Sequence, residues 1–228
     1  MRQDDRAAFD RGLHRARESA YLPGEFVGQE SFMTARETRA LAAQAGIGPG
    51  VTVLDLCCGA GGPGCFLTRE LGCEYLGVDA SATAVAIARE RAGGLACRFA
   101  TARVPPLPAG SFDVVTAGYG LRNVPDLTAA IDEMYRVLKH GGQALSLDFD
   151  RPEHGTVRAV YLWYLSLVGG VLGWVLHRDP DTYRYIPASI RLYPGAEAVA
   201  ELMKVRGFTS VRHYRVLGGL MAIHHATK

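Results

Sequence analysis

The sequence predicts an α/β protein: a mostly parallel sheet with helices on both faces and an antiparallel hairpin at the C-terminal end. Three observations carry this. The stretch from Val51 through Leu54, Asp55 and Cys57 to Gly59 and Gly61 reads as a buried strand running into a glycine turn, with an acid just before the turn. Cys73 to Asp79 is a second apolar run that ends in a carboxylate. It comes about 20 residues past the turn, the spacing of a strand–helix–strand unit. Strand and helix patterns then keep alternating until two period-two segments close the chain around Gly218-Gly219. Repeated β–α units followed by an antiparallel pair predict a parallel sheet covered on both sides.

The elements follow in order. Asp4 to Ala20 is charged and helix-prone, and Thr34 to Ala45 is a second helix. Strand one, Val51 to Leu56, leads through the glycine turn into a helix with Pro63 in its first turn, where proline is tolerated. Ser81 is an N-cap for Ala82 to Ala92, and Gly93-Gly94 end that helix. Leu95 to Thr101 is strand three. Pro105, Pro106 and Pro108 force an extended loop, because proline fixes φ and restricts its neighbour. Phe112 to Ala117 is strand four, Leu127 to Leu138 a helix stopped by Gly141-Gly142, and Gln143 to Phe149 strand five. Pro194 to Val205 is a helix ended by Gly207, and Phe208 to Val216 pairs with Leu220 to Ala226.

Composition excludes some classes. A chain of 228 residues is one ordinary α/β domain with room for a lid. A net charge of +2 gives no electrostatic case for a nucleic-acid partner. The five cysteines fit no zinc spacing, and an odd count argues against a disulfide framework. They read as small buried apolar residues in a reducing compartment. The N-terminus lacks an apolar signal core, which points to the cytoplasm.

The glycine turn narrows the ligand. Gly59, Gly61 and Gly64 satisfy G-x-G-x-x-G, so the glycines alone do not separate NAD from other nucleotides. Asp55 does so: a carboxylate at the mouth of the turn repels a diphosphate and attracts the amino group of S-adenosylmethionine (SAM). Asp79 suits the two ribose hydroxyls that both ligands carry. A hydrophobic strand, Asp, then Gly-x-Gly resembles the first motif of class I SAM-dependent methyltransferases, which have a Rossmann-like fold.

A closer resemblance lies further on. Gly118-Tyr119-Gly120-Leu121-Arg122-Asn123-Val124-Pro125-Asp126, Met134 to Gly142, Leu147 to Pro152, Tyr183 to Ile190 and Gly218 to His224 resemble, in order, motifs of the UbiE/MenG quinone-biosynthesis C-methyltransferases. The resemblance implies SAM-dependent methylation of a ring carbon on a prenylated hydroquinone or naphthoquinol. The first half departs from that family. Tyr21 to Phe32 is similar instead to small natural-product methyltransferases, and Thr101 stands where the family has an adenine-contacting Asp. The chain therefore looks composite.

Candidate residues follow. Cofactor binding falls to Asp55, Cys57, Gly59, Gly61, Asp79, Ala80, Thr101, Ala102 and Gly118, with Tyr21 from the N-terminal segment. Methyl transfer needs alignment and a nucleophilic ring carbon, which an ionised neighbouring hydroxyl provides. Arg122 and Asn123, just past strand four, can stabilise an incipient phenolate. Asp148 can orient a substrate hydroxyl or cap a turn, and His154 is a candidate base. Tyr119, Tyr183, Tyr185 and Arg191 complete a substrate side. His224 and His225 point to opposite faces of a closing strand and read as structural.

Ala159 to Leu176 is apolar over nearly the length of a membrane span, with Trp163, Trp174, Gly169, Gly170 and Gly173 breaking it up. It reads as a lid that accepts a prenyl tail and touches a membrane surface, or as a core helix pair or homodimer interface. The whole chain, 1–228, is expected to be one methyltransferase domain, with a helical cap over 1–45 and an inserted lid over 152–192. The alternatives are a natural-product O- or C-methyltransferase, and a cyclase of the same fold that binds SAM without transferring its methyl group.

Overall fold

The structure, a computed structural model, describes residues 18–29, 33–101, 107–181 and 183–228. The helix expected over Asp4 to Ala20 lies almost wholly outside them, as do Ala102, Pro105 and Pro106. The chain divides into two compact units, Met1–Pro106 and Leu107–Lys228.

In the first unit, helix α1 (Ala35–Gln44) is entered through a capping box. Thr34 Oγ1 accepts the Glu37 N–H, and the Glu37 carboxylate accepts the Thr34 N–H at 2.8 Å. Strands β1 (Thr52–Leu56), β2 (Glu74–Asp79) and β3 (Cys97–Thr101) then alternate with α2 (Gly62–Leu71) and α3 (Ala82–Ala92). β2 lies between β1 and β3, parallel to both, with Asp55 opposite Gly77 and Asp79 opposite Thr101. Ser81 caps α3 as its sequence predicts, accepting the Ala84 N–H at 3.2 Å. Val53, Leu54, Val78 and Val85 are buried between sheet and helices.

The second unit carries β4 (Phe112–Gly118), a short 3₁₀ turn at Leu121–Asn123, α4 (Leu127–Val137), β5 (Leu138–Phe149), α5 (Gly155–His177), α6 (Tyr185–Leu192), α7 (Ala196–Val205), β6 (Thr209–Val216) and β7 (Met221–Thr227). β4 and β5 are parallel, while β7 runs antiparallel to both β5 and β6. Asp126 caps α4. That helix buries Ile131, Met134 and Val137 on one face, each contributing about 1.5–3 kcal/mol by leaving water.

Two expectations are corrected here. Gly141-Gly142 do not stop a helix; α4 ends at Val137, and both glycines lie inside a longer β5. Gly141 has φ +76° where the register with β4 slips, and the C-terminal Lys228 pairs with both glycines through the backbone. Nor do the glycines break α5, which is one helix of 23 residues. Gly169 and Gly173 are sites of close approach: a Cβ at Gly173 would lie 2.5 Å from the Asp179 carbonyl, and one at Gly169 3.2 Å from Tyr183 Cβ. The returning chain rests on the helix where side chains are missing.

Candidate active site

In the first unit the carboxyl ends of β1 and β2 carry the acids. Asp55 accepts a hydrogen bond from the hydroxyl of Tyr75, a buried residue on the neighbouring strand. Burial, with the Asp55 charge adding to it, pushes the Tyr75 hydroxyl well above its ordinary range, so it stays a donor. Asp79 ties the glycine turn to the end of β2. Its Oδ2 accepts the Gly59 N–H at 2.9 Å and its Oδ1 the Ser81 N–H at 2.8 Å. Each oxygen keeps a further lone pair.

The turn itself is shaped by missing side chains. Gly61 has φ +69°, and a Cβ there would lie 2.7 Å from the Phe99 ring and 2.8 Å from Ala88 Cβ. At Gly64 a Cβ would lie 2.2 Å from Tyr75 Cζ and 2.6 Å from its hydroxyl oxygen. Arg91, which sequence reasoning missed, anchors the turn: its Nη1 donates to the carbonyls of Ala60 at 2.9 Å and Gly28 at 3.0 Å. No local pattern marks it, because its partners lie 31 and 63 residues away.

Cys57 is exposed with φ +61°, unlike the other four cysteines, which are buried as the composition suggests. Ala80 and Thr101 are exposed at the ends of β2 and β3, and Tyr21 packs on Phe26. Ala102 lies outside the described residues. A turn without side chains beside a carboxylate with spare acceptor positions fits the nucleoside of SAM.

In the second unit the structure brings Arg122, Asp148, Tyr119 and Asn123 together. Arg122 is not a solvated charge. Its side chain is 3% exposed and forms an ion pair with Asp148, 2% exposed. Arg122 Nη1 also donates to the Tyr119 carbonyl at 3.0 Å and Nε to Ser189 Oγ at 3.2 Å, while the guanidinium stacks over Phe149. Among the described residues Nη2 has no partner. Asp148 further accepts the backbone N–H groups of Arg122 and Phe149. Burial raises its carboxyl above the ordinary carboxylate value, opposed in part by the Arg122 charge and by these donors.

Tyr119 has φ +57° at the turn after Gly118, which is exposed at the end of β4. Its carbonyl also receives the Asn123 amide at 3.2 Å, so Asn123 braces the turn. Tyr193 went unnoticed in the sequence. It is 3% exposed, and its hydroxyl has no hydrogen-bond partner among the described residues. Burial, with the nearby charges of Asp148 and Asp150 adding to it, keeps that hydroxyl protonated. Only the fold reveals it, since it follows α6 by a single residue.

The remaining candidates stand apart from this cluster. His154 is exposed at the N-cap of α5, and Tyr185 and Arg191 are exposed on α6. Tyr183 lies against Gly169. The helix-capping acid is Asp150, which accepts the Ala196 N–H at 2.8 Å. His224 is buried between Ser146 and the Ala196 carbonyl, and His225 bonds to Gln143, so both are structural.

A model of the ubiE/COQ5 methyltransferase family matches residues 32–228. The chain belongs to this family. It is a SAM-dependent methyltransferase with a Rossmann-like fold. The match takes in the cofactor half that the sequence alone sets apart. Among relatives in the ubiE/COQ5 family, the ubiquinone/menaquinone biosynthesis C-methyltransferase UbiE of Shewanella halifaxensis is 34% identical over 192 residues. That match covers 81% of this chain and 76% of the relative. A demethylmenaquinone methyltransferase of Thermus thermophilus is 39% identical over 177 residues, 75% of this chain and 80% of its own.

Solved structures share the fold at lower identity. A SAM-dependent methyltransferase from Aquifex aeolicus has a TM-score of 0.60 at 18% identity, over 83% of this chain and 88% of its own. Haemonchus contortus phosphoethanolamine N-methyltransferase 2, bound to SAM, has a TM-score of 0.65 at 17% identity, over 90% of this chain and 54% of its own.

Proposed function

We propose that this enzyme methylates a ring carbon of a prenylated quinol-type precursor. The observation that carries the reading is the buried Arg122–Asp148 pair, with the unpartnered Tyr193 hydroxyl close to both charges. Buried polar groups without partners are costly, and the oxygens of a phenolic ring would satisfy them. Family membership and the names of the relatives support the same acceptor class.

When bound, SAM supplies an electrophilic methyl group on a sulfonium. In this reading Asp55, Gly59, Gly61 and Asp79 hold it, with Thr101 beside the adenine. Arg122 donates to the acceptor hydroxyl and favours its ionised form, which makes the adjacent ring carbon nucleophilic. Asp148 holds the guanidinium in place, and Asn123 and Tyr119 fix the turn that carries it. The ring proton displaced by the methyl group leaves to an exposed base, for which His154 is the candidate.

The test is Arg122→Lys, which keeps the charge but loses the planar fork. Loss of an oxyanion donor costs on the order of 10²–10³ in kcat, with SAM affinity unchanged. If SAM affinity falls instead while the single-turnover rate stays intact, Arg122 belongs to the cofactor site and this reading fails.

A further inference from the structure

Helix α5 is apolar on all sides, yet only one side of it is covered. Tyr161, Leu162 and Leu165 pack with Ile190, Ile186 and Phe149 in a small core of the second unit. On the opposite side Val160, Trp163, Tyr164, Leu167, Val171 and Trp174 are each more than half exposed. At helical spacing these six fall in one stripe about 100° wide. The stretch Gly155–Val175 has a mean hydropathy of 1.3 and is only 11% buried. A helix that is apolar all round is normally enclosed.

A surface groove of about 570 Å³ runs along the edge of this stripe, lined by Arg158, Arg191, Trp163 and Ser166 among others. No carboxylate lines it. Arg191 has no hydrogen-bond or ion-pair partner among the described residues, and Arg158 makes only a 3.5 Å contact to the Pro152 carbonyl. Two arginines without counter-charges thus stand beside an exposed apolar face.

We propose that α5 lies flat in the surface of an anionic lipid bilayer, its apolar stripe in the acyl boundary and lipid phosphates seated on Arg158 and Arg191. Trp163 and Trp174, near the two ends of the stripe, suit the headgroup boundary. The helix lies on the membrane and does not cross it, because spanning would strip Tyr161, Leu162 and Leu165 from their core. A second copy is a poorer fit. A two-fold partner would bring the same two arginines, and the groove itself offers no carboxylate to receive them. The inference stands on this surface alone and does not depend on the identity of the methyl acceptor.

The chain has two tryptophans, and both lie on this face, so intrinsic emission reads it selectively. Vesicles of equal parts phosphatidylcholine and phosphatidylglycerol should shift the emission to the blue. Phosphatidylcholine alone should do so far less, and salt should weaken the effect. Arg158→Gln should lower vesicle affinity about fivefold, the factor one basic side chain contributes near such a surface. Leu167→Asp, at an exposed position that leaves the fold intact, should abolish binding. An emission that anionic vesicles do not move overturns the proposal. So does equal affinity in Arg158→Gln. A dimer found by light scattering and dissociated by Leu167→Asp would assign the face to a second copy instead.

Discussion

Arg122 and Asp148 are locked together below the surface, the guanidinium on the carboxylate and the carboxylate also on the Arg122 backbone N–H at 3.1 Å. The pair joins the turn after β4 to the end of β5, 26 residues later. Removing one partner of a buried pair leaves a bare charge, which costs about 3–5 kcal/mol. Asp148→Ala should therefore lower the urea midpoint by that equivalent. A loss under about 1 kcal/mol, the range of an exposed pair, would contradict the burial argument.

Asp79 braces Gly59 and Ser81 and is proposed to receive the cofactor ribose. Asp79→Ala should weaken SAM binding by roughly 1.5–3 kcal/mol, the range for hydrogen bonds to a charged group. Titration calorimetry on the folded variant checks this, and unchanged affinity would remove Asp79 from the site.

The glycines of α5 make a paired prediction. Gly170 has open space where a Cβ would go, whereas at Gly173 the Asp179 carbonyl stands 2.5 Å away. Helix propensity favours alanine by about 1 kcal/mol at either position. Gly170→Ala should raise the thermal midpoint and Gly173→Ala lower it, because the obstacle there is backbone. Equal gains at both sites would show that Asp179 and Pro180 do not rest on the helix.

His224 ties stability to pH. Burial lowers its pKa below the ordinary value near ~6.5, and His225 is shifted the same way. As pH falls, the unfolded chain takes up these protons first. Their contribution is complete above about pH 6.5 and is lost as pH drops from there toward the folded-state values. Thermal midpoints between about pH 7.5 and 5 should decline, and His224→Gln should flatten the decline. The same slope in the variant would place the titrating group elsewhere.

Much of this was legible in the chain, and the reasons are local. Apolar runs that end in Asp55 and Asp79 place both acids at strand ends, and Ser81 and Pro63 mark helix starts by their own chemistry. What was not legible depends on partners distant in sequence. Nothing near Arg122 predicts that it is buried on Asp148, and nothing near Tyr75 predicts its bond to Asp55. Gly141 and Gly142 carry the local pattern of a helix stop, yet pairing with Lys228 keeps them in a strand. Gly169 and Gly173 look like breaks until the segment that packs on them is seen. Tyr193 has no pattern at all, since an unpartnered hydroxyl is a property of its surroundings.

Methyl transfer to the ring carbon of a tailed quinol underlies every role proposed for the site. The direct measurement uses SAM carrying an isotopically labelled methyl group and two quinols of one ring, with and without a prenyl tail, and locates the label by nuclear magnetic resonance. The label should appear on a ring carbon. The tailed acceptor should also show a higher kcat/KM, by up to ~0.8 kcal/mol for each methylene buried. Label on an oxygen, no transfer to either quinol, or equal kcat/KM for the two would contradict this reading.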